Sequence, residues 1–294
     1  MNKIALLIIY NHRYDRNIPI LNRIYENRFS HIYHIVPFYD GDEKNVIPVY
    51  ESSYQFSGYI AQAYPHLKGK SFTHYFVVAD DMIINPEINE RNIWVTTGIV
   101  PDKCYLPSLI SFQTRNEYWE RTLEALSYTP YIKGTEIRNI IPKYENATEL
   151  FKMHGLHTSP LPFRKLIMNL KTNKSFNRYE KLRLLKRKGH FSYPLVGGYS
   201  DIFLVTADVM DKFCLYCGAF AATRLFVEIA IPTAMVLAAN DIQFEENIKL
   251  KGMALWTNED HKLLEKYNFS LEELIKDYPK DTLYIHPIKL SKWK

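Results

Sequence analysis

The run His74-Tyr-Phe-Val-Val-Ala79 is apolar after its first residue and stops on two adjacent carboxylates, Asp80 and Asp81. An unbroken apolar strand leaves no face for water, so it is expected to be buried on both sides, inside a sheet covered by helices. Two runs of the same kind precede it, Ile4–Tyr10 and His31–Phe38. Between them, Ile18, Leu21, Ile24 and Tyr25 fall at helical spacing within Ile18–Phe29, and Tyr54–Tyr64 reads as a second helix. This alternation predicts an α/β fold, a mostly parallel sheet flanked by helices. Further on, Cys104–Phe112 reads as a strand and Glu117–Ser127 as a helix. Gly197-Gly198-Tyr199 opens a second ordered block, with a strand at Ile202–Val205 and a helix near Ala207–Cys217. A long helix is expected from Ala221 to Ala239, and residues 258–276 also look helical.

At 294 residues, with 47% hydrophobic and 23% charged, the chain can bury a large core, which excludes disordered and collagen-like classes. Three cysteines, Cys104, Cys214 and Cys217, are an odd and small number, which argues for a reducing, cytoplasmic setting. Cys214 and Cys217 have metal-site spacing but no second pair to complete a zinc cage, so they read as helix core. The apolar start runs into Asn11-His12-Arg13 without a small-residue cleavage site and reads as a strand rather than a signal segment. The stretch Leu225–Ala239 contains Glu228 and Pro232 and is shorter than the roughly 20 residues that a bilayer requires. Neither a phosphate-binding loop, a dinucleotide glycine fingerprint nor a Gly-x-Ser-x-Gly elbow is present.

Charge is unevenly distributed. The chain carries +5 overall, yet Arg164–Lys188 holds ten Lys/Arg against one acid, so this stretch is +9 and the remainder −4. A nucleic-acid binder usually spreads positive charge over its folded surface, so no nucleic-acid partner is expected. Leu166, Ile167, Leu170, Leu182 and Leu185 are spaced so that part of residues 164–190, read as a basic insertion, can form an amphipathic basic helix. Such a helix would touch anionic lipid, peripherally at the inner face of a membrane. A solvated surface loop is the alternative.

Ligands of open α/β sheets collect at the carboxyl ends of the strands, which directs attention to Asp80 and Asp81. Adjacent carboxylates beside a core repel and need compensation, and Mg²⁺ or Mn²⁺ supplies it; the alternative is a turn in which Asp80 caps the next segment. In the tail, His286 is followed by Lys289 and Lys292-Trp293, an imidazole that can ligate the same ion and ammonium groups that can neutralise a diphosphate. Glu228, in an otherwise apolar stretch, must be paired or face a cleft; Arg224 four residues earlier offers the pair. Asp201 follows Gly197-Gly198, where the backbone can approach a ligand or partner closely.

An apolar strand, an acidic cluster and a second apolar run resemble the metal-binding acidic motif of nucleotide-sugar glycosyltransferases with the GT-A (Rossmann-like) fold. The His-then-Lys-Trp tail is similar to that of the glycogenin-like and lipopolysaccharide-galactosyltransferase family. The resemblance covers about residues 1–100 and 195–294. It implies one GT-A-like domain over 1–294: a nucleotide-sugar-binding half (1–100), the basic insertion, and an acceptor half with the tail (195–294). It further implies that Asp81 and His286 hold the metal with Asp80 in support, Ala79 replacing the first acid of the family's triplet. Lys289 or Lys292 would meet the diphosphate. Tyr10, Asn11, Arg13 and Asp40 fall where such folds hold the nucleoside or its phosphates, and Glu228 or Asp201 would serve the acceptor. The implied activity is transfer of a sugar from a nucleotide-diphosphate sugar, a UDP-sugar being favoured, to a saccharide or lipid-linked hydroxyl in bacterial lipopolysaccharide or capsule synthesis. Two other readings stand beside it: a sugar nucleotidylyltransferase, and a non-catalytic membrane or nucleic-acid adaptor acting through the basic segment.

Overall fold

The computed structural model describes residues 3–113, 125, 127–137, 139–172 and 178–293. The helix expected over Glu117–Ser127 lies almost wholly outside them. Four parallel strands come first: β1 (Ile4–Ile9), β2 (Ile32–Pro37), β3 (Val46–Val49) and β4 (His74–Ala79). They are interleaved with α1 (Asn17–Tyr25) and α2 (Ser57–Leu67). After the two-residue β5 (Ile83–Ile84) and the short α3 (Ile93–Thr97) come β6 (Cys104–Leu106), β7 (Ile202–Thr206) and β8 (Ile242–Phe244). The seven-stranded sheet runs β3-β2-β1-β4-β7-β6-β8. β7 is antiparallel to both β4 and β6, and β6 and β8 are parallel to each other. An α/β fold with a mostly parallel central sheet is therefore present, with one reversed strand that the sequence pattern did not reveal.

The central strands feed two cores. In β1, Ile4, Leu6 and Ile8 pack on one side with α1 and the C-terminal region, while Ala5, Leu7 and Ile9 pack on the other with residues of α2 and of two later helices. The period of two explains why the strand sequence is continuously apolar: alternate residues enter opposite cores. The two later helices are α7 (Ala207–Ala222) and α8 (Val227–Ala238). They replace the single helix expected over Ala221–Ala239, because Arg224 adopts a left-handed φ of 63° that ends one helix before the next begins. The strand expected over Cys104–Phe112 stops at Leu106.

Between β6 and β7 lie α4 (Tyr144–Met153), α5 (Phe163–Thr172) and α6 (Arg178–Lys186). The basic segment is thus helical over 164–172 and 178–186 and turns at 187–189, rather than a surface loop throughout. Leu166, Leu170 and Leu184 enter the same core as Phe151 and Tyr193. At its base the Leu161 amide donates to the Gly189 carbonyl (3.0 Å), so the chain leaves and returns at one point. Gly189 has φ 81°, and a Cβ there would lie 2.8 Å from the Leu161 carbonyl, so a side chain is excluded on two counts.

A second, three-stranded sheet, β5-β10-β9, joins β9 (Lys251–Ala254) and β10 (Thr282–His286) to β5. The helical stretch expected over 258–276 is broken into α9 (Asn258–Lys262), a 3-10 turn and α10 (Leu271–Lys276). No helix among the described residues is long and apolar enough to cross a membrane.

Candidate functional site

Strand order sets the place. β1, β2 and β3 proceed toward one edge and β4 lies on the other side of β1, so the connections diverge between β1 and β4. Such a switch point opens a crevice at the carboxyl ends of the strands. Asn11 follows β1 there and Asp80-Asp81 follows β4, tied together by the Asp80 amide donating to the Ile9 carbonyl (2.9 Å). The reversed β7 begins at the same edge: the Ala79 amide donates to the Asp201 carbonyl (2.8 Å), and Asn11, Phe56, Ala79, Ser200 and Asp201 pack around a gap too tight to hold a water molecule.

The small sheet brings in the tail. β10 runs antiparallel to β5 with Ile285 opposite Ile83, so one further step along the register sets His286 beside Met82 and next to Asp81. The Ile288 amide then donates to the Asp81 carbonyl (2.6 Å), and the Leu255 amide to that of His286 (2.7 Å). Residues about two hundred positions apart in the chain are thus brought into contact by backbone pairing.

Asp81 Oδ1 lies 3.0 Å from His286 Nε2. The pair attracts whenever the imidazole is protonated, yet the contact is not aligned as a hydrogen bond, and Oδ1 is buried without a donor. Two ligands in adjacent positions of an octahedral ion, each about 2.1 Å from it, stand about 3 Å apart. A carboxylate oxygen and an imidazole nitrogen at that separation form an ion pair when the ring is protonated, and the same separation fits a shared hard cation when it is not. The other ring nitrogen, His286 Nδ1, is 2.7 Å from the Tyr199 hydroxyl, and Tyr199 stacks on Tyr284 with ring centroids 5.8 Å apart. This is the outer-shell support that fixes ring orientation in metal-ligating histidines. With Nδ1–H donating to that hydroxyl, Nε2 would present its lone pair toward Asp81.

Electrostatics at the centre favour a cation. Asp80 is buried and accepts from Asn17 Nδ2 (2.8 Å). Burial pushes its pKa up to about 7, and the neighbouring charge of Asp81 adds to this, while the Asn17 and Asn11 hydrogen bonds oppose it. Burial also raises the Asp201 pKa, with the charge of His286 opposing and that of Asp81 reinforcing. For His286, burial disfavours the imidazolium, but the contact with Asp81 and the charges of Asp201 and Asp80 outweigh it and raise its pKa. Three carboxyl groups and one imidazole thus lie within electrostatic reach of one another, and burial disfavours the ionised form of Asp80 and Asp201 unless a cation is near. Among the described residues no three His, Cys, Asp or Glu side chains converge tightly enough to enclose an ion. Protein cages are not the rule for Mg²⁺-type sites, where substrate phosphates and water complete the shell of one or two carboxylates.

Of the remaining residues singled out from the sequence, several sit elsewhere. Tyr10 is fully buried with its hydroxyl 2.8 Å from His34 Nδ1. It belongs to the core beneath the site, so its ring is not open to stack on a base; the strand expected over Ile4–Tyr10 ends at Ile9, and Tyr10 turns into the core just after it. Arg13 pairs with Asp15 (2.9 Å) and with Asp40 at the exposed ends of β1 and β2. The two residues expected to contact ligand separately are thus partners of each other. Exposed rings stand beside them instead: Phe38 and Tyr50, 61% and 63% exposed, meet edge to face at 5.8 Å. Lys289 and Lys292 are exposed and line a cavity of about 290 Å³ with Pro287, His261 and Trp293, adjoining the tail end of the centre.

Glu228 is half-buried in the first turn of α8. Arg224 lies in the left-handed turn before that helix, so the two do not form the helical i, i+4 pair that the spacing suggested. The Glu228 carbonyl accepts from the Gly198 amide (2.9 Å). A Cβ on Gly198 would fall 2.4 Å from the Ser108 carbonyl and 3.0 Å from Pro232. The close approach expected at the glycines is therefore to the chain's own backbone and to α8, not to a ligand.

Tyr199, Asn17 and Trp256 were missed. Trp256 is 65% exposed with its ring 5.9 Å from that of His286. The Tyr199 signal was available, since it directly follows the glycine pair and precedes Asp201. Comparison of the chain with models of protein families, with curated proteins and with solved structures gave no match.

Proposed function

We propose that the protein is a divalent-metal-dependent glycosyltransferase of GT-A-like organisation that uses a nucleotide-diphosphate sugar as donor. The observation that carries this reading is the Asp81–His286 pair, two unaligned ligand atoms 3.0 Å apart at the switch point of the sheet. Asp81 and His286 would hold Mn²⁺ or Mg²⁺, with Asp80 kept in place by Asn17 and the His286 ring held by Tyr199. The ion, when bound, would supply positive charge to the diphosphate oxygens as the sugar leaves.

The chain's own residues account for the rest. Lys289 and Lys292, free of ion pairs among the described residues, would approach the same diphosphate from the tail. Developing charge on a departing nucleoside diphosphate is the main electrostatic demand of such a transfer, and fixed cations meet it without reorganisation. Phe38 and Tyr50 replace Tyr10 as the rings available to a base. Asp201, at the start of β7 beside the Ala79 amide, and Glu228 are the carboxylates that would orient or deprotonate an acceptor hydroxyl, a saccharide or lipid-linked one.

The test is release of nucleoside diphosphate from UDP- and GDP-sugars. Slow donor turnover that requires Mn²⁺ or Mg²⁺ and stops on chelation is expected. Asp81→Asn should lower it on the order of a hundredfold or more. Turnover indifferent to chelator, or an Asp81→Asn variant of normal rate, refutes the assignment.

A further inference from the structure

We propose that the outward faces of α5 and α6 dock the protein on an anionic lipid bilayer. Packing accounts for one side of each helix: Leu166 and Leu170 of α5 and Leu184 of α6 are in the core. It leaves the other side unexplained. On α5, Arg164, Met168 and Lys171 recur at i, i+4 and i+7; on α6, Arg178, Leu182, Leu185 and Lys186 recur at i, i+4, i+7 and i+8. Both sets therefore form continuous outward stripes. Phe163 (72% exposed), Leu182 (51%), Met168 (46%) and Leu185 (40%) are large apolar side chains set among these cations.

Cations interleaved with exposed aliphatic and aromatic side chains are the composition of a helix lying in a membrane interface. The apolar groups enter the headgroup–acyl boundary while the cations meet lipid phosphates. A surface reading nucleic-acid phosphates needs the cations and gains nothing from exposed leucines. Charge complementarity also sets the orientation. Arg164–Lys188 carries +9 and the remainder of the chain −4, so an anionic surface attracts the helical pair and repels the rest of the molecule. The Leu161–Gly189 hydrogen bond closes the base of the segment that carries both helices. This docking is independent of the metal centre.

The experiment is co-sedimentation of the full chain with phosphatidylcholine vesicles, with and without about one-third phosphatidylglycerol. Binding is expected only to the anionic vesicles at low salt and is expected to fall steeply at about 0.5 M salt. A variant combining Lys171→Gln, Arg178→Gln, Lys186→Gln and Lys188→Gln, all exposed positions, should lose on the order of a thousandfold in partitioning. A second variant, Met168→Ser with Leu182→Ser and Leu185→Ser, should weaken vesicle binding with every cation retained. Asp81→Asn should bind vesicles normally. Equal pelleting with neutral and anionic vesicles overturns the proposal. So does unchanged binding by either multiple variant, or tighter binding to duplex nucleic acid than to the anionic vesicles.

Discussion

Replacing His34 tests the buried network beneath the site. The imidazole is fully buried, with Nδ1 2.8 Å from the Tyr10 hydroxyl and Nε2 2.8 Å from Asn22 Oδ1. Asn45 Nδ2 donates to the same Asn22 oxygen (3.0 Å), which makes that oxygen an acceptor and assigns the proton of neutral His34 to Nε2. Tyr10 then donates to Nδ1. Protonating Nδ1 would break this bond and bury a charge without a facing carboxylate, and burial lowers the His34 pKa from 6.5 to about 4. Because the folded-state pKa is the lower one, the neutral ring stabilises the fold fully above pH 6.5. That stability is lost as pH falls toward 4, where the folded state also takes the proton. A difference of about 2.5 units corresponds to about 3 kcal/mol, most of it removed by pH 4.5. Urea unfolding at pH 7.5 and pH 4.5 should show the parent chain losing about 2–3 kcal/mol more than His34→Gln over that interval. Equal losses in the two proteins would refute the network and the depressed pKa together.

Gly198→Ala should destabilise the protein by about 1–3 kcal/mol, read by urea unfolding, because the added Cβ meets a backbone carbonyl that has no room to retreat; unchanged stability would mean the backbones are not in contact. Asp80 has a folded-state pKa near 7, above its ordinary value of 3.8, so the metal-free fold is best supported at low pH and loses that support as pH rises to 7. Asp80→Asn should therefore gain up to about 4 kcal/mol of stability relative to the parent between pH 4 and pH 8, and an equal effect at both pH values would refute the shift.

The parallel half of the sheet was legible because strands buried on two faces must be apolar at every position, and β1, β2 and β4 are nearly so. The acidic turn was legible for the same reason: carboxylates that end such a strand stand out. The reversed direction of β7 was not, since Ile202–Thr206 carries the same continuous apolar signal in either direction. Tyr10 was misplaced because a ring closing a strand looks alike whether it meets solvent or, as here, a histidine on the neighbouring strand. The junction of His286 with Asp81 depends on β5, only two residues long, and a pairing that short leaves no periodicity to read. Leu166 and Leu170 had the spacing of a membrane-facing stripe, but the same spacing serves a core-facing one, and packing claimed it.

Manganese binding reports on the central claim most directly. Electron paramagnetic resonance of Mn²⁺ titrated into the protein with UDP or GDP counts bound ions without requiring knowledge of the acceptor. One tight site per chain is expected, strengthened by the nucleotide diphosphate and weakened at least tenfold in both Asp81→Asn and His286→Leu. Manganese that binds these variants as it binds the parent, or that leaves nucleotide affinity unchanged, would contradict that claim.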